Sequence, residues 1–192
     1  MAEAEFEKKQ EGDRRNRFDN GNRPRRPRFD KKPVEDDGLD KKMVDVRLVQ
    51  KTTSGGRTPS FSALCVVGDK KGRVGIGTGK ARETVNAIEK GFNEARKNLI
   101  TVPLNGTTIP HDIEVKFGAS RIRLLPAPEG TGVIAGGAAR PVLELAGIKD
   151  ITAKTHGSSN KINTVRATYM ALKSLMSAEM VAEKRGKKVE DL

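Results

Sequence analysis

The sequence predicts an α+β fold made of two small α/β modules that follow a disordered N-terminal tail. Two observations support this prediction. Between residues 39 and 184, segments in which apolar residues alternate are followed by segments in which they recur every three or four positions. These are the spacings of strands and helices, respectively. The first 38 residues show neither spacing. We place the first module at 39–105, the second at 106–184 and a charged C-terminal tail at 185–192.

The N-terminal tail is rich in arginine, asparagine, glycine and proline, most densely from residue 14 to residue 33. Such a composition does not bury enough apolar area to offset backbone ordering, which costs about 1–2 kcal/mol per residue. We therefore expect residues 1–38 to be disordered. An arginine-rich arm can condense on nucleic-acid phosphates, and the alternative is a solvated tail without a dedicated contact.

The sequence of the first module predicts a three-stranded antiparallel meander followed by one helix. The strands are expected at residues 44–49, 60–67 and 73–78. The polar residues 50–59 would form the first connection, with Gly55 and Gly56 at its tip, and residues 69–72 a tight turn. Apolar residues at spacings of three and four then predict the buried stripe of the helix. That stripe is Val85, Ile88, Phe92, Ala95 and Leu99.

The sequence of the second module predicts a hairpin, two helices and a further strand. Ile113, Val115 and Phe117 alternate, as do Ile122 and Leu124. A glycine-rich segment at 126–137 leads to a short helix at about 138–146, with Pro141 in its first turn and Gly147 ending it. Another strand contains Ile151 and Ala153. The last helix begins after Ser159 or Asn160, either of which can cap it. Its stripe is Ile162, Val165, Tyr169, Leu172 and Leu175 or Met176.

Composition and charge exclude several classes of protein. The chain has 37 basic and 25 acidic residues, for a net charge of +12. One cysteine excludes a disulfide within the chain. One cysteine and two distant histidines also exclude an ordinary zinc site. We find no stretch that could span a membrane and no secretory signal, and we expect no cofactor. The class of protein that remains is one that lies in a reducing compartment and binds a polyanion.

The segment from Gly75 to Ala81 has the glycines of a phosphate-binding loop but not their spacing. A Walker A loop needs another glycine in place of Val74 and a hydroxyl residue in place of Ala81. We instead predict a strand end followed by a helix start. Lys80 and Arg82 there would bind a backbone phosphate, assisted by the free N–H groups of the helix. The alternative is a solvated helix start.

The first connection of the meander is a second candidate for phosphate contact. A flexible basic tip can clamp a nucleic-acid backbone, whereas the alternative is an ordinary polar loop. Together with the tight turn and the predicted helix start, this tip gives the predicted RNA-binding set. Its members are Lys51, Thr52, Thr53, Gly55, Gly56, Arg57, Lys70, Lys71, Lys80 and Arg82.

The other candidates carry little chemistry. The glycine-rich residues 126–137 could form an anion nest and loosely resemble an ATP loop of small-molecule kinases, but we favour tight packing. Cys65 is expected to be buried, and His111 and His156 form no catalytic or metal-binding pattern. We therefore predict no enzymatic activity. The few aromatic residues disfavour base stacking, so phosphate and ribose contact with structured RNA is the better interpretation.

Four segments resemble the bacterial small-subunit ribosomal protein five family. They are KTTSGGRTPSFSALCVVGDKKGRVGIGTGKARE at 51–83, EGTGVIAGGAARPVLELAG at 129–147, GSSNKINTVRAT at 157–168 and EMVAEKRGK at 179–187. The resemblance covers residues 39–187. It implies that the first module is a variant of the double-stranded RNA-binding domain. It also implies that the second is an α/β sandwich with a left-handed crossover.

The resemblance also implies a function and a set of partners. The family binds small-subunit ribosomal RNA, holds the head of the subunit against its body and influences translational accuracy. It contacts ribosomal proteins four and eight and lies near the point where messenger RNA enters. Its first hairpin is linked to spectinomycin resistance. The implied location is cytoplasmic, in the ribosome, with no membrane contact.

Gly132 and Arg140 are the predicted contact with ribosomal protein four. A glycine suits a close approach of the backbone to a neighbour, and a cation at a helix start gains nothing from the helix dipole. Members of the family altered at the matching positions misread more often. We therefore expect a structural constituent of the small ribosomal subunit. The alternatives are a free RNA chaperone or regulatory double-stranded RNA binder and, more remotely, a small-molecule kinase.

Overall fold

The computed structural model describes residues 38–187, so residues 1–37 of the tail predicted at 1–38 and the last five residues of the chain lie outside this range. The first module is an antiparallel sheet in the order β1-β2-β3-β4, with helix α1 following β3. The predicted meander and its helix are confirmed. The elements are β1 (Asp40–Thr53), β2 (Gly56–Gly68), β3 (Arg73–Ala81), α1 (Thr84–Lys97) and β4 (Leu99–Thr101).

The first sheet has one strand more than the sequence predicted. Leu99, placed at the end of the helical stripe, begins β4 instead and pairs with Gly75 of β3. The helix ends at Lys97, and the Asn98 side chain donates to the Ile76 carbonyl over 3.3 Å. This contact holds the chain against the edge of β3, where Ile100 and Thr101, both β-branched, suit a strand.

The connection predicted at residues 50–59 is itself a paired hairpin. β1 and β2 remain in register as far as Thr53 and Gly56, so only Ser54 and Gly55 lie outside the strands. Gly56, the first residue of β2 after this turn, has a φ of +127°, a backbone conformation that glycine adopts readily. Three threonines also favour the extended backbone. The expected flexible loop is thus a long two-stranded arm.

The second module is a mixed sheet in the order β5-β6-β8-β7, in which only β7 runs parallel to its neighbour β8. The predicted hairpin, strand and two helices are confirmed, including Asn160 as the cap, which accepts from the Ile162 N–H over 3.2 Å. The short strand β7 and the last helix were not predicted. The elements are β5 (Ile113–Phe117), β6 (Ser120–Pro126), β7 (Val133–Ile134), α2 (Arg140–Ala146), β8 (Ile151–Gly157), α3 (Lys161–Ser174) and α4 (Ala178–Arg185).

The main hydrophobic core is shared by both modules. Leu64 and Val66 of β2 pack in one cluster with Ile122, Leu143 and Leu172 of the second module. The alternate residues of β2 face the other way, where Ala63 and Cys65 pack against α1. Burial raises the pKa of the Cys65 thiol to about 11, as expected for an inert core cysteine. The first sheet is therefore covered on both faces.

Polar contacts also fasten the two modules together. The backbone N–H groups of Lys70 and Gly72 donate to the last turn of α2, each over 3.0 Å. Lys161 of α3 forms an ion pair of 2.8 Å with Asp45 of β1. This contact, with a smaller effect of Arg47, lowers the pKa of the Asp45 carboxyl. Surfaces on the two modules therefore keep a fixed separation.

Candidate nucleic-acid interface

The glycines of β3 that face α1 allow the helix to pack closely on the strand. A Cβ atom at Gly77 would lie 2.3 Å from the Gly91 carbonyl oxygen of α1, and one at Gly79 would lie 2.0 Å from that of Ala87. The backbone of α1 thus rests directly on β3, which leaves no room for a nucleotide phosphate. The segment that has the glycines of a phosphate-binding loop therefore permits close packing of a helix on a sheet.

The basic residues after these glycines do not both lie at a helix start. Lys80 belongs to β3 and pairs with Ser62, while Arg82 lies in the link before α1. The helix begins at Thr84, and Glu83 occupies its N-cap position. A carboxylate there opposes a phosphate at the helix end. Phosphate binding at this position would therefore depend on the charges of side chains and not on the free N–H groups of the helix.

That side-chain charge lines a polar groove of about 490 Å³ beside α1. Lys90, which was not among the predicted RNA-binding residues, joins Lys80 and Arg82 there. Asn86, Lys90 and Asn93 follow at spacings of four and three, so a polar helical stripe was the available signal. Other lining residues are Ser60, Ala81, Glu83 and Glu89. The groove offers three cations, opposed by the carboxylates of Glu83 and Glu89, and several amide or hydroxyl groups to a sugar–phosphate backbone.

The β1–β2 arm projects beyond this groove. β3 ends opposite Phe61, so the arm from Gln50 to Pro59 pairs only with itself, and all of these residues are exposed. Lys51 pairs with Thr58, and Thr52 with Arg57. Because successive side chains of a strand alternate between faces, Lys51 and Arg57 lie on opposite faces of the arm. The arm can therefore contact phosphates on both sides at once.

The remaining predicted RNA-binding residues lie elsewhere. Lys70 and Lys71 form the turn at the other end of β2, where the structure does not bring them near the arm. Lys70 has a φ of +57° and an ion pair of 2.6 Å with Asp40, which raises the pKa of Lys70. This turn docks on the end of α2. The two lysines therefore lie where the modules contact each other, as much as on any ligand-binding surface.

The glycine-rich loop at 126–137 does form an anion nest, but its own chain fills it. The Asp150 carboxylate is only 5% exposed and accepts N–H bonds from Gly132 over 2.9 Å and from Gly130 over 3.0 Å. The Gly132 N–H above all, and then the Thr107 hydroxyl, lower the pKa of Asp150. A carboxylate in this position repels an ATP phosphate, so the loop supports packing and no kinase site.

The two predicted protein-contact residues lie on either side of this loop's end. A Cβ atom at Gly132 would have nothing within 4 Å among residues 38–187, so the expected close approach to a partner protein stays a prediction. The glycine is required by its φ of +76°, which an L-side chain rarely adopts. Arg140 is the first residue of α2 and is exposed, without a carboxylate partner among residues 38–187.

Aromatic residues and histidines add no further site. Phe117 is half-buried beneath the guanidinium of Arg166, 5.7 Å from the ring centre, and the Tyr169 hydroxyl donates to the Asn98 carbonyl over 2.9 Å. His111 accepts from the Met176 N–H over 3.3 Å. Within residues 38–187 there is no cluster of metal-ligating side chains. The same range contains no helix long and apolar enough to cross a membrane.

Comparison with known proteins identifies the family. The N-terminal domain model of ribosomal protein S5 matches residues 39–103, and the C-terminal domain model matches residues 115–185. Small ribosomal subunit protein uS5 of Alcanivorax borkumensis is 54% identical over 156 residues, which are 81% of this chain and 93% of that protein. The uS5 proteins of Ectopseudomonas mendocina and Pseudomonas aeruginosa are 53% and 52% identical over 157 residues, in each case 82% of this chain and 95% of the relative.

These matches span both sheets, the arm, the glycines of β3 and the loop around Asp150. They agree with the resemblance that the four sequence segments carry. The chain therefore belongs to the ribosomal protein S5 family, a family of structural, non-enzymatic RNA-binding proteins of the small ribosomal subunit.

Proposed function

We propose that this chain binds small-subunit ribosomal RNA through the β1–β2 arm and the groove at its base, and thereby helps to hold the head of the subunit against its body. The observation that carries this proposal is the arm itself. It projects from a doubly covered sheet with Lys51 and Arg57 on opposite faces. An arm of this kind bridges two phosphate backbones, as a link between two RNA segments requires.

The rest of the first module supports the same role. Residues 39–105 carry 13 basic and 6 acidic residues, and Lys80, Arg82 and Lys90 line the groove where the arm begins. Phosphate contacts of this kind position a protein on folded RNA without reading its sequence. The shared core keeps the second module at a fixed place relative to that RNA.

The proposed neighbours are ribosomal proteins four and eight, near the point where messenger RNA enters. Arg140 suits a contact with an acidic protein surface because it is exposed and unpaired within residues 38–187. Open space surrounds Gly132, so the loop can receive a neighbour's backbone. Weakening this contact would make the closed decoding state easier to reach and thus lower accuracy.

The test of this function is crosslinking in purified small subunits that were washed in high salt. We expect the chain to remain with the subunit and peptides containing Lys51 or Arg57 to carry ribonucleotide adducts. A chain that leaves the subunit at moderate salt, and carries adducts of other RNAs, would instead be a free RNA chaperone or regulatory double-stranded RNA binder.

We expect Arg140→Leu to raise stop-codon readthrough several-fold in cells that carry only the variant. The variant removes the charge of an exposed side chain without a carboxylate partner among the described residues, so folding and RNA binding should be unchanged. Readthrough of a reporter, normalised to subunit abundance, provides the measurement. Gly132→Arg should act in the same direction, but it also strains a residue whose φ is +76°.

Arg140→Lys is the matched control for this prediction. It keeps the positive charge at the start of α2 and should restore accuracy largely or completely. Normal readthrough in Arg140→Leu cells with normally assembled subunits would remove the protein-contact role from this residue.

A further inference from the structure

The outward face of the second sheet is a charged surface that no other part of residues 38–187 covers. Helices α2 and α3 pack on the opposite face, where Ile122 and Leu124 are fully buried. Along β5, β6 and β8 the alternate residues point outward, and six of them are exposed. We call the following set the basic sheet face: Glu114, Lys116, Arg121, Arg123, Lys154 and His156.

The register arranges these residues in two cross-strand rows. Lys116 of β5 lies opposite Arg121 of β6, which lies opposite His156 of β8. In the second row Glu114 lies opposite Arg123, which lies opposite Lys154. Neighbouring strands are about 4.8 Å apart and the two rows about 6.7 Å apart. Four permanent cations therefore occupy a patch about 10 Å wide.

Two of these pairings oppose folding. Like charges directly opposite each other destabilise a sheet, yet Lys116 faces Arg121 and Arg123 faces Lys154. The arginines turn diagonally instead, Arg121 to Glu114 over 3.2 Å and Arg123 to Asp112 over 3.5 Å. These exposed ion pairs contribute little, and neither lysine has a carboxylate partner among residues 38–187. The arrangement is better explained by an external anion than by stability.

The chemistry of the face favours RNA over a protein partner. Protein interfaces are depleted of charge at their centres and rely on apolar anchors. The apolar side chains on this face, Leu125 and Ile134, lie in a third row, at the far edge from Lys116. The N-terminal tail is a poor occupant because residues 1–32 carry 11 basic and 7 acidic residues. A dense row of negative charges, such as an RNA backbone, complements the two rows.

We propose that the basic sheet face is a second RNA-contacting surface, which grips phosphates of structured ribosomal RNA independently of the arm. This inference rests on the proposed function, since it assumes that small-subunit RNA is the ligand. The shared core fixes the two surfaces relative to each other. One chain would therefore hold two RNA segments at a set distance, with Lys116 and Lys154 the residues freest to bind.

The test compares two fourfold variants of the full chain in binding to deproteinised small-subunit RNA at 50–200 mM salt. The face variant carries Lys116→Gln, Arg121→Gln, Arg123→Gln and Lys154→Gln. The control changes four exposed lysines scattered over other elements to Gln, namely Lys97, Lys149, Lys173 and Lys187. Each phosphate contact steepens the salt dependence so that affinity falls about threefold more over this range.

We expect the face variant to flatten the salt dependence and to weaken binding at least tenfold, while the control changes it by less than threefold. Its melting temperature should not fall, because the changes relieve like-charge pairs. Glu114→Gln should tighten binding. Equal losses in the face variant and the control would overturn the proposal, as would unchanged binding by the face variant.

Crosslinking in purified small subunits separates this inference from the proposed function. Ribonucleotide adducts on peptides that contain Lys116 or Lys154 support it. Adducts on arm peptides alone leave the proposed function intact and overturn the second surface. Crosslinks from the face to another protein alone also overturn it, because they assign the face to a protein partner. Absence of adducts on every peptide overturns both.

Discussion

Replacing Gly77 by alanine should destabilise the chain by about 3 kcal/mol, a large value for one added methyl group. The new Cβ atom would lie 2.3 Å from the Gly91 carbonyl oxygen and 2.4 Å from the Ala95 nitrogen. Both atoms belong to the backbone of α1, so no side chain can turn away to make room. The helix must move off β3, which opens the cluster around Cys65.

The measurement is thermal or denaturant unfolding of the full chain. For a protein of this size, 3 kcal/mol corresponds to a fall in Tm of about 6–12 °C. Gly137→Ala is the matched control, because its Cβ atom would have nothing within 4 Å and its φ is not positive. That variant should remain within about 1 kcal/mol of the wild type. A Gly77→Ala protein as stable as the control would show that α1 does not rest on β3 as described.

The same glycines show what the sequence can and cannot reveal. Gly75, Gly77 and Gly79 alternate, so their spacing already excluded a Walker A loop and indicated a strand. The packing of α1 on these glycines could not be predicted. Their alternation shows that they share one face of a strand, but it does not show which element covers that face. The period of α1 correctly predicted the packing of Ile88 and Phe92 and the burial of Ala95, but Val85, which was placed in the same stripe, is 65% exposed. The period gave no sign that the helix backbone lies directly against β3.

Residues at turns and edges were harder to predict than those in the core. The apolar alternation that places Val66 and Ile122 in strands is a strong signal. The arm has no apolar alternation, and its threonines and glycines suit a loop as well as a hairpin. Short strands such as β7, at Val133–Ile134, depend on pairing with a distant segment. Local sequence does not encode such pairing.

The candidate interface was predicted in part. Lys51, Arg57, Lys80 and Arg82 were chosen for their charge, and the structure places them along the arm and at its base. Their role in RNA binding stays a prediction. Lys90 was missed because a lysine on a helix usually marks a solvated face. The basic sheet face was missed because its residues come from three strands, which only the register brings together.

The largest effect on RNA binding is expected from the arm variant, in which Lys51, Arg57, Lys80 and Arg82 are all changed to alanine. The loss of four phosphate contacts lowers the slope of log affinity against log salt by about 3.6. Between 50 and 200 mM salt the wild type should then lose about a hundredfold more affinity than the variant. The probe is deproteinised small-subunit RNA, bound to the full chain.

The contacts of the arm should contribute separately, because Lys51 and Arg57 lie on opposite faces and share no partner. Lys51→Ala and Arg57→Ala should each lower the slope by about 1, and the double variant by about 2. The loss should be the same for unrelated structured RNAs, since phosphate contacts carry no sequence information. The scattered-lysine control, with equal loss of charge, should retain the wild-type slope. An arm variant that behaves like this control would show that Lys51, Arg57, Lys80 and Arg82 make no phosphate contacts, and that the affinity arises elsewhere on the chain.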